Sequence, residues 1–135
     1  MLTILEKTDL LQDAALFREV RTQSLARIAA ISFEVRFEAR QPLFNEHEAA
    51  DAMFVILDGE VNLSRAGSAA GSVTRGQIAG SLDLLAGLPR TEAAVAGRPV
   101  WALRIGQQAL FDAMAEDFHI TRGVLHALAV RGSSR

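Results

Sequence analysis

The chain has 135 residues and a mass of 14.6 kDa, room for one domain built on one hydrophobic core. Half of its residues are hydrophobic and 22% are charged, a balance too apolar for a disordered chain. Fourteen Lys plus Arg against 16 Asp plus Glu leave a net charge of -2, so no overall basic field exists to hold nucleic acid or anionic lipid directly.

Cysteine is absent, which excludes disulfides, thiolate nucleophiles and Cys-ligated zinc and makes a cytoplasmic compartment the expectation. The longest apolar runs, such as Met53-Phe54-Val55-Ile56-Leu57, fall far short of the ~20 residues that span a bilayer, so no membrane span is expected. The opening Met1-Leu2-Thr3-Ile4-Leu5-Glu6-Lys7 lacks the basic start and small-residue cleavage site of a signal peptide, and export is not expected.

Glycine divides the chain. Eight of the ten fall between Gly59 and Gly106 and none lies earlier, which predicts helix, then sheet, then helix. Residues 3–12 suggest a short helix and Ala15-Leu16-Phe17 an apolar connector. Leu25, Ile28 and Ala29 repeat at i, i+3, i+4 and predict a helix over 22–31, with Thr22 and Ser24 as candidate N-cap oxygens.

From Phe33 the period becomes two: Phe33, Val35 and Phe37 form the apolar face of a strand, and Glu34, Arg36 and Glu38 its solvated face. Further strands are predicted at 42–44, 53–57, 60–64, 72–74, 77–79, 92–96 and 100–105, separated by turns such as Asp58-Gly59, Ala66-Gly67-Ser68 and Gly97-Arg98-Pro99. Short strands at close spacing predict a barrel or jelly roll rather than βαβ units. After Gly106, Leu110, Phe111 and Met114 mark one helix, and Ile120, Val124, Leu125 and Leu128 mark another beyond a break near Asp117. Gly132-Ser133-Ser134-Arg135 reads as a frayed end. The expected plan is a single unit with N-terminal helices over 1–32, a β jelly roll over 33–105 and C-terminal helices over 107–131.

One segment carries chemistry. In Ala79-Gly80-Ser81-Leu82-Asp83-Leu84-Leu85-Ala86-Gly87-Leu88-Pro89-Arg90-Thr91, Gly80 can turn sharply into a helix of one or two turns that Gly87 and Pro89 close. Such a start leaves backbone N–H groups unpaired and able to receive a phosphate. Arg90, ten residues on, can return beside it as a permanently charged donor fork, and Thr91 adds a hydroxyl. A turn glycine and a surface arginine are the plainer reading of the same residues.

The whole pattern resembles the cyclic nucleotide-binding domain family, whose phosphate-binding cassette reads roughly Phe-Gly-Glu-Leu-Ala-Leu-Leu, a short linker, then Pro-Arg-Ser/Thr-Ala. Here the same spacing reads Ala79-Gly80-Ser81-Leu82-Asp83-Leu84-Leu85 and Pro89-Arg90-Thr91-Glu92. Upstream, Ala52-Met53-Phe54-Val55-Ile56-Leu57-Asp58-Gly59-Glu60-Val61 is similar to the family's strand-turn-strand segment. The resemblance implies a mainly β fold, a double-stranded β-helix or jelly roll with flanking helices. It also implies a regulatory rather than catalytic role, and cAMP or cGMP as a ligand rather than a cofactor. Gly80, Ser81 and Leu82 would then offer backbone groups to phosphate and ribose, with Asp83 a further cassette member. Arg90 would pair with the phosphate, Thr91 would donate to it, and Leu82 and Val73 would line the base pocket.

The sequence departs from that pattern in places. Ser81 stands where the family has a glutamate that accepts the ribose 2′-hydroxyl. A hydrogen bond to a charged group is worth ~1.5–3 kcal/mol against ~1 for a neutral one. The exchange should therefore weaken binding by about 5- to 30-fold. Glu92 on a strand would share a face with Arg90 and neutralise it or repel the phosphate, unless its carboxylate points to water. Asp83 adds a second acid, also readable as a routine partner of the helix dipole. Two family turn glycines appear as Arg40 and His47.

His47, His119 and His126 have no metal-ligand spacing, so no metal site is expected. Trp101, alternating with Leu103 and Ile105, reads as core or partner-facing packing. Two main functions compete. One is a sensor that takes a cyclic nucleotide or other small anion and relays binding through the C-terminal helices to an effector domain or protein partner. The other is a degenerate domain that has lost the ligand and serves as an interaction module, with the helix around 118–131 available for homodimerisation. A cupin-type enzyme needs clustered His and Glu ligands on strands, which are missing.

Overall fold

The structure is a computed structural model that describes residues 1–133. Helices α1 (Ile4–Gln12) and α2 (Thr22–Ile31) precede strands β1 (Ser32–Phe37), β2 (Pro42–Phe44), β3 (Ala52–Asp58), β4 (Glu60–Arg65), β5 (Ser68–Thr74) and β6 (Ile78–Ala79). The short helix α3 (Ser81–Ala86), strands β7 (Ala93–Ala96) and β8 (Val100–Gly106), and helices α4 (Gln107–Glu116) and α5 (Phe118–Ser133) complete the chain. The strands pair antiparallel in two four-stranded sheets, ordered β1-β8-β3-β6 and β2-β7-β4-β5. The fold is a jelly roll flanked by helices, as expected. Helix α5 keeps its backbone hydrogen bonding through Ser133, past Gly132 where the sequence predicts fraying, and Ser134 and Arg135 lie outside the described residues.

Two apolar cores sit back to back across one sheet. Along β3, Met53, Val55 and Leu57 face the helices, whereas Ala52, Phe54 and Ile56 face the second sheet. Both faces of the strand are buried, which is why this segment reads as an unbroken apolar run instead of an alternating one. Strand β8 divides the same way, with Leu103 and Ile105 toward the helices and Val100 and Ala102 between the sheets. Leu16 and Phe17 of the connector are buried in the helical core.

The face assignment on β1 needs correction. Val35 and Phe37 pack against the inter-sheet core, but Phe33, at the start of this edge strand, is 64% exposed and belongs to neither core. The opposite face is open to solvent at Arg36 and Glu38, as expected, and is also engaged: Glu34 accepts hydrogen bonds from the Leu2 amide and the Trp101 indole, and the Arg36 guanidinium lies 4.9 Å from the Trp101 ring centroid. At α2 the N-cap is Arg21, so Thr22 and Ser24 are helical residues and do not cap. Ser24 is buried and its hydroxyl serves the carboxylate of Asp117 in the break between α4 and α5.

Three carboxylates are held below their ordinary range by hydrogen bonds. The Thr3 backbone and hydroxyl hold Glu6 in a capping box, the Leu2 amide and then Trp101 hold Glu34, and the Ser24 hydroxyl and then the His119 amide hold Asp117. A depressed pKa contributes stability that is complete above the unfolded value and lost as pH falls through the folded one. Thermal melts should therefore be flat from neutral pH down to about 5 and fall steadily below ~4. A melting temperature unchanged down to pH 3 would show that these three bonds do not support the helical layer.

Candidate functional site

Strand β6 pairs Ala79 and Ile78 with Phe54 and Val55 of β3 and ends at Gly80, whose φ of +81° and ψ of 21° turn the chain into α3. Glycine is the residue that adopts this left-handed turn without a Cβ clash. Leu84 plugs α3 into the helical core, and Gly87, again left-handed at φ +69°, closes the helix. The amides of Gly87 and Leu88 donate to the Leu84 and Asp83 carbonyls, and Pro89 then delivers Arg90 back toward Gly80.

Arg90 does not face solvent. It is the largest fully buried side chain, at 1% exposure. Nη1 donates to the Gly80 carbonyl at 2.7 Å, Nη2 donates to the Ala52 carbonyl, and the guanidinium carbon sits 3.9 Å from the Phe44 ring centroid. Nε is the one buried side-chain nitrogen or oxygen without a partner among the described residues. Burial pushes the guanidinium below its ordinary pKa, opposed by the carboxylates of Asp83, Asp51 and Glu48, and it remains protonated. Its backbone is gripped as well: the His47 amide donates to the Arg90 carbonyl and the Arg90 amide to the Glu48 carbonyl, each at 2.8 Å. His47 and Arg40 hold φ values of +69° and +74°, so both turns keep the left-handed geometry that glycine favours although neither residue is glycine.

Beside the cassette lies a cavity of about 750 Å³. Gly80, Ser81, Leu82, Asp83, Thr91 and Val73, six of the seven residues expected to form a site, share its wall. Arg90, the seventh, lies behind Gly80 and is not part of the wall. Thr91 is already engaged: its amide donates to Asp83 Oδ2 at 3.2 Å, and its hydroxyl lies 3.3 Å and 3.5 Å from the two carboxylate oxygens.

The expectation for Glu92 is corrected too. Its carboxylate pairs with Arg65 of β4 at 3.8 Å, neither neutralising Arg90 nor pointing only to water. Strand β7 begins at Ala93, so the two-residue repeat that would have put Glu92 and Arg90 on one face does not extend back to them. Sequence reasoning missed several members of the wall: Phe44 from β2, Leu63 and Arg65 from β4, and His126, Ala127 and Leu128 from α5. No local signal marks them, since each arrives from a distant part of the chain. Among the described residues, no group of three or more His, Asp or Glu is placed to hold a metal ion, and no helix is long and apolar enough to cross a membrane.

The geometry finds its counterparts among known proteins. The cGMP-dependent protein kinases egl-4 of Caenorhabditis briggsae and Caenorhabditis elegans are each 28% identical over 83 residues, 62% of this chain and 11% of the kinase. The chain thus spans about a tenth of the length of these curated relatives. The N-terminal domain of a transcriptional regulator from Streptomyces coelicolor A3(2) superposes with a TM-score of 0.83 at 25% identity, covering 93% of this chain and 94% of that one. The regulatory domain of Toxoplasma gondii PKA, solved with cAMP, shares the fold at a TM-score of 0.83 and 12% identity, over 98% of this chain and 50% of its own. The family model for the cyclic nucleotide-binding domain matches residues 34–117, from the first strand through the cassette to the end of α4. The chain belongs to the cyclic nucleotide-binding domain family.

Proposed function

We propose that this chain is a regulatory sensor domain, not an enzyme, whose cavity receives a cyclic nucleotide monophosphate, cAMP or cGMP, and relays its presence through α4 and α5 to an effector domain or partner. The observation that carries this reading is the convergence of Gly80, Ser81, Leu82, Thr91 and Val73 on one cavity of about 750 Å³, with a buried guanidinium directly behind Gly80. That volume falls within the ~300–1,000 Å³ usual for small-molecule sites. Val73 and Leu82 supply apolar wall for a base, while Ser81 and Thr91 supply polar groups for sugar and phosphate. Helix α5 contributes His126, Ala127 and Leu128 to the same cavity, so a ligand there would touch the element proposed to signal. A shift of that helix requires the ligand to favour one of its positions over another.

The degenerate-domain reading keeps specific support. Both Nη groups of Arg90 and the Thr91 amide are already taken by groups of the chain itself, and Phe118 and Leu125, seven residues apart on α5, are 68% and 57% exposed. Titration of the whole chain with cAMP and cGMP, read by thermal shift, separates the two. A ligand at 100 times its Kd should stabilise the protein by about 2.7 kcal/mol and raise the melting temperature accordingly. No shift with either nucleotide at millimolar concentration would leave the interaction module.

A further inference from the structure

We infer that Asp83 is an internal anion that sets which ligands the cavity admits: its carboxylate occupies the Thr91 donors that a phosphate would use. This rests on the sensor reading of the same cavity. Asp83, the third residue of α3, reaches across the linker to Thr91, where one amide and one hydroxyl engage its two oxygens at 3.2 to 3.5 Å. Both residues line the cavity, so the contact lies on its wall. A carboxylate spanning an N–H and an O–H presents two oxygens and a negative charge to these donors, as one edge of a phosphate does. The adjoining cation is not on the wall: Arg90 lies behind Gly80 with both Nη groups held by the Gly80 and Ala52 carbonyls, and its one unpartnered nitrogen, Nε, is buried. Of the other two acids on this wall, Glu92 is paired with Arg65 and Glu19 enters from the connector between α1 and α2, so the Thr91 donors are left to Asp83. An entering phosphate must therefore displace the Asp83 carboxylate and tolerate its charge nearby.

The linker does not depend on that side chain alone. The Gly87 and Leu88 amides donate to the backbone carbonyls of Leu84 and Asp83, and Arg90 is anchored through Glu48 and His47. Asp83→Ala should accordingly fold, which a thermal melt checks first. Calorimetric titration of the full chain with cAMP and cGMP should then give about tenfold tighter binding for Asp83→Ala than for wild type, with Asp83→Asn between them. In the ligand-free protein, hydrogen exchange of the Thr91 amide should accelerate in Asp83→Ala while the core strands stay protected. Three results would overturn the inference. Wild-type binding equal to or tighter than that of Asp83→Ala makes Asp83 a structural staple and leaves the sensor reading intact. Unchanged exchange at Thr91 means the carboxylate does not hold that amide. Absence of binding in wild type and variants alike removes the sensor reading together with the inference, whereas binding gained only on removing Asp83 supports the inference and assigns the wild-type chain to the interaction reading.

Discussion

Replacing Arg90 with Ala is expected to destabilise the ligand-free protein by about 2–4 kcal/mol, in addition to any loss of ligand binding. The guanidinium is fully buried, holds the Gly80 and Ala52 carbonyls through charge-assisted hydrogen bonds and packs on Phe44. Truncation leaves two backbone carbonyls without their partner and a void beneath the aromatic ring. Part of the loss is offset, because the desolvation that depresses the Arg90 pKa is relieved. Urea unfolding should show a lower midpoint with an unchanged slope, and Arg90→Lys should fall between, since an ammonium cannot span both carbonyls as a planar fork does. An unfolding free energy within about 0.5 kcal/mol of wild type would mean that Arg90 contributes nothing to the resting fold. The consequence for function is direct. An Arg90 variant that fails to bind a nucleotide is informative only when its folding is measured alongside.

Gly80→Ala should cost a comparable ~2–4 kcal/mol, for a different reason. A Cβ at Gly80 would stand 2.4 Å from Arg90 Nη1 and 3.0 Å from both Arg90 Cζ and Phe44 Cε2, on a backbone at φ +81°. The left-handed conformation alone costs an L-residue about 1–2 kcal/mol. Relieving the clash would push the guanidinium off the Gly80 and Ala52 carbonyls, so the substitution also spends the bonds that Arg90 makes. The two changes should be non-additive: with Arg90 already truncated, the clash with its guanidinium disappears, and the backbone strain and the close approach to Phe44 remain. Urea unfolding of both single variants and the double variant tests this. Strict additivity would show that Gly80 and Arg90 do not share one packed unit.

Much of the architecture was legible because it rests on local periodicity. The i, i+3, i+4 spacing of Leu25, Ile28 and Ala29 located α2, and the break at Asp117 separates α4 from α5. The Gly80 turn, the short helix behind it and the return at Pro89-Arg90 could be read from spacing, and Arg90 does reach Gly80. Orientation was harder. The alternation in β1 announced a strand but not that its first apolar residue, Phe33, would stay uncovered or that Glu34 would be claimed by Leu2 and Trp101. Cover for an edge strand is supplied by other elements, and a single strand's pattern carries no record of them.

Local pattern was enough to read the two-residue and 3.6-residue periods, a sharp turn at Gly80 and the covalent spacing that returns Arg90 to it, because these are properties of neighbouring residues and their backbones. Where the charges went was settled by packing between distant elements. That packing turned Arg90 inward onto two carbonyls, gave Thr91 to Asp83, paired Glu92 with Arg65 and laid α5 along the cavity. Each of those outcomes depends on which distant groups surround a side chain once water is excluded, and hydrogen bonding and desolvation in that environment, more than propensity, set its direction.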